Sequence, residues 1–498
     1  MDATINWRND VGRTRLIGIL AAFCLFAVTP ARAVRAAELP RASIGDIVAR
    51  IDAGQFHAAE AAIAIALGQA GSDREMRAAL QFERERMRRI LLDFTLDEAA
   101  LKAQLLEAIP DLGEAEFEDW KARGLFEQQV IDGRVVYFNR AASNLFRLSS
   151  EALARRRLQT PLRDGPMESA NAHHREILDA AGPGHERGLA ARRLRVTQSL
   201  SVHADAVPDG ATIRAWIPYP RAIPGQQERI RLLDSVPAKH VVAPESALQR
   251  TVYLELEAAS GKPTEFSISY ELTVSAQFHA IDADKVIAPT VTPDLAPFLA
   301  ERPPHIVFSE GIRLFSRQIV GDEKNPWRIA QKLFAAVDRI PWAGAREYST
   351  IHNISDYALH AGHADCGQQT LLLMTLLRLN GIPSRWQSGM VYSDGDAYSN
   401  LHDWGQLYVA PYGWIPMDVT TGRLRSEDPR IAGFYLGGLD AYRVAFNDDY
   451  GRDFVPAKSH FRSETVDLQR GEAEWDGGNL YFDQWDYDFK WQVQPIGQ

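Results

Sequence analysis

The chain has 498 residues, 46% apolar and 24% charged, with a formal net charge of −10. This is an ordinary globular composition, enough for about three domains at roughly 150 residues each. It excludes a disordered chain, a collagen-like chain and a polytopic membrane protein, and the negative charge gives no global basic field to draw in nucleic acid. Two cysteines exclude a disulfide-stapled scaffold.

Residues 1–33 read as a secretory signal peptide. Arg8, Arg13 and Arg15 form a positive start, Leu16 to Val28 is apolar, Pro30 breaks the run, and Ala31-Arg32-Ala33 offers a cleavage site. Thirteen apolar residues are too few for a bilayer-spanning helix, which needs about 20. Cys24 lies in this run behind the large Phe23, which argues against lipidation. Cleavage after Ala33 removes four Arg and two Asp, leaving a net charge of −12 and a single cysteine, Cys366. The mature chain is therefore expected to be periplasmic or secreted, with no membrane span.

Residues 38–150 read as a helical module with a hairpin. Ile47, Ile51 and Phe56, then Met76, Leu80 and Met87, recur at helical spacing. Thr95 with Glu98 suggests a capping-box start for a helix to Ile109. A short helix over 114–123 precedes a hairpin turning at Asp132-Gly133. The Arg run at 155–157 suits a solvated helix face. Residues 151–191 read as a linker, with His173-His174 as exposed loop rather than a metal site.

Residues 192–275 change period. Leu194, Val196, Leu200 and Val202 alternate with polar residues, and Phe266, Ile268, Tyr270, Leu272 and Val274 alternate most cleanly. This predicts a β-sandwich, with Trp216-Ile217-Pro218-Tyr219-Pro220 closing one strand. A Pro-rich connector covers 276–308. A further core domain is expected at 309–450, beginning with helices at about 309–320 and 326–339, the second opened by Asn325-Pro326. Residues 451–498 read as acidic and aromatic strands packed on the core. There Trp485, Tyr487, Phe489 and Trp491 alternate with charged residues. A closing strand is favoured over a sugar- or peptide-stacking surface. Asp483, Asp486 and Asp488 lack an EF-hand calcium loop.

Cys366 opens an apolar helix running through Leu371, Leu372, Met374, Leu376, Leu377 and Leu379 to Asn380-Gly381. A helix N-terminus favours a thiolate and offers free N–H groups to an oxyanion. Leu401-His402-Asp403-Trp404 alternates as a strand, Pro411-Tyr412-Gly413 makes a turn, and Trp414, Pro416 and Asp418 share one parity of the next strand. An antiparallel hairpin about that turn can bring His402 beside Asp418, as a base oriented by a carboxylate.

This ordered set, with Gly381-Ile382-Pro383-Ser384-Arg385, His402-x-Trp404 and Gly413-Trp414-x-x-x-Asp418, resembles the transglutaminase-like superfamily of papain-type thiol enzymes over about 326–422. One position departs from the family pattern: Ala364 stands where Gly is usual, and Gly367 follows the cysteine. The resemblance implies an α+β class: a papain-like core, helix on antiparallel sheet, preceded by a β-sandwich and the helical module. It also implies acyl transfer at an amide or ester through Cys366, His402 and Asp418. An upstream side chain would help hold the oxyanion, with Trp342, Tyr348 and Tyr357 as candidates.

The expected function is an exported cysteine hydrolase cleaving peptide, isopeptide or related amide bonds of a protein or peptide substrate, cell-wall peptide included. Thiolate, imidazole and N–H groups need no cofactor. The alternatives are acyl transfer to an amine and a non-catalytic binding protein on the same fold. A zinc site from His360, His363, Cys366 and His402 is the other reading, but its spacing matches no familiar ligand pattern. No metal is therefore expected.

Overall fold

The computed structural model describes residues 42–71, 73–158, 165–394 and 399–494. The expected signal peptide and Cys24 lie outside these residues.

Five helices open the described chain: Ile44–Asp52, Phe56–Gln69, Arg74–Asp93, Glu98–Ala108 and Glu114–Ala122. Polar caps set several of their starts. Ser43 and Asp46 make a reciprocal capping box, and Asp73 accepts from the Met76 N–H. The fourth helix is capped by Asp97, which accepts from the Ala100 N–H, and not by Thr95. Asp97 places Glu98 at the first helical position, where an acid is also favourable. The hairpin pairs Gln128–Ile131 with Arg134–Tyr137, Ile131 facing Arg134. Asp132 and Gly133 both adopt positive φ, 46° and 83°, as a two-residue hairpin turn demands. Ile47, Ile63, Leu80, Leu101, Trp120 and Leu145 fill this module's core.

The segment expected as a linker contains the helix Ala172–Ala180, capped by Asn171. His173 and His174 are buried in it, contrary to the exposed-loop expectation. His174 Nε2 lies 3.1 Å from the Tyr435 hydroxyl, and His173 Nε2 accepts the Ala441 N–H at 3.1 Å. Their partners lie about 260 residues away, beyond the reach of any local pattern. Arg155 likewise pairs with Asp111 and Glu116.

Two antiparallel five-stranded sheets follow. In the first, Thr264–Phe278 pairs Arg187–Val202, which pairs Trp485–Gln494; Gly438–Leu439 and Gln227–Val236 also join Thr264–Phe278. The second runs Gly478–Leu480, Glu472–Trp475, Thr212–Pro218, Thr251–Glu257 and His240–Val242. Phe266, Ile268, Tyr270, Leu272 and Val274 all point inward, none more than 1% exposed. The aromatic C-terminal strand is a sheet member, with Trp485 opposite Val202 and Trp491 opposite Val196. Asp483 pairs with Arg88, and Asp486 Oδ2 lies 3.0 Å from His203 Nε2.

The third sheet orders Gly413–Met417, Ser399–Val409, Ser384–Tyr392 and Arg443–Asn447, all antiparallel. Helices Glu310–Val320, Pro326–Val337 and Ile354–His360 precede it. Asn325 caps the second of these, accepting from the Trp327 and Arg328 N–H groups. The helix Cys366–Leu379 packs on the sheet and is buried continuously from Gly367 to Arg378. Its leucines supply the apolar surface, and buried polar members such as Thr375 and Arg378 are hydrogen-bonded, to the Leu371 and Ser384 carbonyls. Each buried Leu contributes about 1.5–3 kcal/mol. Gly405 lets the strands of this sheet close up. A Cβ there would lie 2.8 Å from the Arg385 carbonyl oxygen on one neighbouring strand and 2.9 Å from Met417 Cε on the other. The result is an α+β architecture, with a helix on an antiparallel sheet at its centre.

The N-terminal helices grip the segment that backs this centre. Arg89, fully buried, donates to the Arg462 and Ser463 carbonyls at 3.0 Å and lies 4.2 Å over the Tyr481 ring. Asp93 accepts from the Glu347 N–H at 3.0 Å. Removing Arg89 strands two carbonyls, at about 1–3 kcal/mol each. Arg89→Ala is predicted to lower the melting temperature and speed amide exchange across residues 462–470. Wild-type exchange there would contradict the role assigned to this arginine.

Candidate active site

Cys366 is the first residue of its helix, behind the N-cap Asp365. Asp365 accepts from the Gln368 N–H at 3.1 Å, and Gln368 Oε1 accepts from the Asp365 N–H at 3.1 Å. This reciprocal box fixes where the helix begins and so where the sulfur stands. The Gly367 N–H donates to the Tyr348 hydroxyl at 3.1 Å. A Cβ on Gly367 would lie 2.2 Å from that oxygen, which is why glycine follows the cysteine. Ala364, at the departing position, is fully buried, and its N–H donates to the Pro341 carbonyl.

His402 lies on the strand Ser399–Val409, and Asp418 directly follows Gly413–Met417. Val409 pairs with Gly413 and Gly405 with Met417, and this register carries Asp418 to His402. His402 Nε2 is 2.8 Å from Asp418 Oδ2. Asp418 has no exposure, yet it is well partnered. It accepts from the Thr420 and Thr421 N–H groups at 3.1 and 3.0 Å, from Thr421 Oγ1 at 2.6 Å, and from Arg443. Burial opposes its charge, but His402 and Arg443 outweigh burial and hold Asp418 well below the usual carboxylate range. Arg443 is held in turn by Asp440 at 2.8 Å, and Asp440 accepts from the Tyr435 hydroxyl at 2.9 Å. The His402 ring stacks on Trp404, whose Nε1 donates to Gln387. Nδ1 of His402 makes no hydrogen bond among the described residues.

The sulfur has a different partner. Cys366 Sγ is 3.1 Å from Asp403 Oδ2, and no hydrogen bond joins it to His402 among the described residues. The thiol is pushed up by burial and then by the charges of Asp403 and Asp365. A lowered thiol was expected at a helix N-terminus; burial and then the Asp403 and Asp365 carboxyls outweigh the helix dipole. Burial likewise raises Asp403 to about 7 and Asp365 to about 6.

The three oxyanion candidates occupy different settings. Tyr348 is 8% exposed, and its hydroxyl lies 2.8 Å from Asp365 Oδ1, so its one proton is already committed. Tyr357 donates to Glu127 at 2.7 Å. Trp342 is half-buried, with the Arg147 guanidinium 4.2 Å from its ring centroid. By contrast the Cys366 N–H donates to no protein group among the described residues.

The zinc ligand set is dispersed. The His360 side chain is 63% exposed, 3.9 Å from Asp356, while His363 faces Glu127 at 3.6 Å. Among the described residues, the one close group of potential ligands is Glu98, Glu114 and Glu118, and Lys102 and Lys121 already pair with them.

Residues 313–419 match the transglutaminase-like superfamily. This segment is a transglutaminase-like core. It is of the cysteine hydrolase or acyltransferase kind. No curated protein matches the chain. Among solved structures, it is similar to one described as "a putative cysteine protease" from Cytophaga hutchinsonii, at 12% identity and a TM-score of 0.40, covering 62% of this chain and 92% of that one. It is also similar to the periplasmic domain of TgpA from Pseudomonas aeruginosa, at 13% identity and a TM-score of 0.25, covering 53% and 95%. A third, described as "a putative protease" from Parabacteroides distasonis, shares 10% identity at a TM-score of 0.19, covering 52% and 68%. No helix among the described residues is long and apolar enough to cross a membrane.

Sequence reasoning missed Asp403, Asp365 and Arg443. Asp403 carried a signal, because on a strand it has the opposite parity to His402 and must face the packed helix. Arg443 carried none, lying 25 residues beyond its partner Asp418. Gly367→Ala is predicted to destabilise the protein by about 1–3 kcal/mol through overpacking against Tyr348. An unchanged urea midpoint would show that this contact is slack.

Proposed function

We propose that the protein is an exported cysteine hydrolase that cleaves amide bonds in peptides or proteins through a Cys366, His402 and Asp418 triad. The observation that carries this reading is the 2.8 Å His402–Asp418 contact, held by a buried, charge-matched carboxylate beside the helix that starts at Cys366, within a transglutaminase-like core. Nε2 of the imidazole is taken by the carboxylate, which leaves Nδ1 to serve the sulfur.

In this mechanism the sulfur turns from Asp403 to His402 Nδ1. The thiol proton passes to Nδ1 as the sulfur bonds to the substrate carbonyl carbon. The Cys366 N–H holds the oxyanion. The imidazolium then protonates the departing amine as the C–N bond breaks, leaving a thioester. Water, deprotonated by His402, attacks the thioester, releases the acid and restores the thiol. Arg443, Thr421 and the backbone around Thr420 keep Asp418 ionised, so the imidazole stays oriented throughout. Export is proposed from the basic start, apolar run and small-residue cleavage site of residues 1–33.

Peptide and isopeptide substrates, cell-wall peptides among them, are incubated with wild type and variants, with and without added amine. Cys366→Ala and His402→Ala are each predicted to abolish turnover, and Asp418→Ala to lower kcat by about 100-fold or more. A new N-terminus or free ammonia supports hydrolysis, and incorporated amine supports transfer instead. Wild-type turnover in the Cys366 variant would overturn the mechanism.

A further inference from the structure

His402 and Asp403 are neighbours on one strand and face opposite sides of it. Asp403 shares its face with Gly405, and its carbonyl accepts from Thr370 Oγ1 of the cysteine helix at 3.4 Å. Its side chain is 2% exposed and lies against the reacting atom, with Oδ2 3.1 Å from Cys366 Sγ. Oδ1 accepts from Gln469 Nε2 at 2.9 Å, and the Tyr348 hydroxyl stands 3.3 Å from Oδ2. Three separate elements thus fix this carboxyl: the strand, the turn carrying Tyr348 and the C-terminal segment carrying Gln469.

Deepening the hydrolase reading above, and resting on it, we propose that Asp403 is the acceptor that holds the Cys366 proton, so that the nucleophile rests as a thiol turned away from His402. The geometry allows little else. A thiolate 3.1 Å from a carboxylate would set two negative charges together in the interior, whereas a thiol there donates S–H to oxygen. Among the described residues no arginine or lysine is paired with Asp403 or Cys366. Arg470 pairs with Glu347 at 3.0 Å and lies 3.7 Å from Glu464, and Arg462 donates to Gln249 at 2.6 Å. The other groups facing Asp403 add negative charge or none. Asp365 and Tyr348 come from the cap and the turn, Glu464 and Asp467 from the C-terminal segment. Asp467 is 3% exposed, and its Oδ2 has no hydrogen-bond partner. Burial, then Asp403 beside it, pushes Asp467 well up. Burial and these carboxylates move the Cys366 thiol in the same direction.

The consequence is a site whose sulfur must leave Asp403 before it can attack. The proton remains on sulfur in this resting arrangement and passes to His402 only on reaction. Asp403 thereby protects a lone thiol from adventitious electrophiles at neutral pH.

The test is the rate of iodoacetamide alkylation at Cys366 in the full-length protein, read by peptide mass spectrometry from pH 5 to pH 10. Wild type is expected to react slowly at pH 7 and to accelerate only above pH 9. Asp403→Asn and Asp403→Ser are expected to react at least about tenfold faster at pH 7, the gain from one unit of thiol pKa. If neither variant folds, the ultraviolet thiolate absorbance of wild type decides, with thiolate expected only in the alkaline range. An unchanged pH profile in both folded variants, or a wild-type thiolate already present at pH 6, overturns the proposal. Alkylation needs no substrate. A shift in Asp403→Asn alongside full turnover in Cys366→Ala would therefore sink the hydrolase reading alone, and the reverse pattern this inference alone.

Discussion

A carboxylate sealed from water is the constraint on which the site depends. Asp418 is buried without exposure and remains ionised only because an imidazole, a guanidinium, a hydroxyl and two backbone N–H groups surround it. Removing any of these leaves charge in a low-dielectric interior, where an unpaired partner typically costs about 3–5 kcal/mol. The requirement reaches outward. Arg443 needs Asp440, Asp440 needs the Tyr435 hydroxyl, and Tyr435 meets His174 on a helix remote in the chain. The residues that look most distant from chemistry are thus the ones that aim the imidazole.

A second buried network stands on the opposite face of the same strand. There the ionisable groups are carboxyls, Asp403, Asp365, Asp467 and Glu464, all raised by burial, and the sulfur lies 3.1 Å from Asp403. Adjacent residues of one strand therefore present two environments, one that holds an imidazole against a carboxylate and one that sets a thiol against another carboxyl. The cysteine helix packs on the Asp403 side of the strand, and Gly367 lets its first turn approach Tyr348. The N-terminal helices take part as well, since Arg89 and Asp93 anchor the two segments that complete this carboxyl network.

Much of this was legible in the sequence where short-range physics decides it. The alternation of Phe266 to Val274, the Asp132-Gly133 turn, the Asn325 cap and the start of the cysteine helix each depend on a few neighbouring residues, and each lies where the pattern put it. Parity on two strands joined by a tight turn was enough to join His402 to Asp418. The His173-His174 pair misled because polarity near Gly and Pro suggests exposure, whereas its partners sit on residues 435 and 441. The thiol's direction misled for a similar reason. A helix N-terminus is visible in sequence, but the carboxylates that outweigh it arrive from another strand and from the C-terminal segment. Thr95 gave way to Asp97 because two capping residues stood within one turn, and pattern alone does not rank them.

The proposed triad requires the sulfur of Cys366 and Nδ1 of His402 to meet when bond breaking begins. A crystal structure of the protein with a peptidyl aldehyde bound tests this. The expected result is a hemithioacetal on Cys366, its oxygen on the Cys366 N–H, and His402 Nδ1 within hydrogen-bond reach of the adduct while Nε2 stays on Asp418. An unmodified sulfur still resting on Asp403, or an adduct with the imidazole turned away, would contradict it.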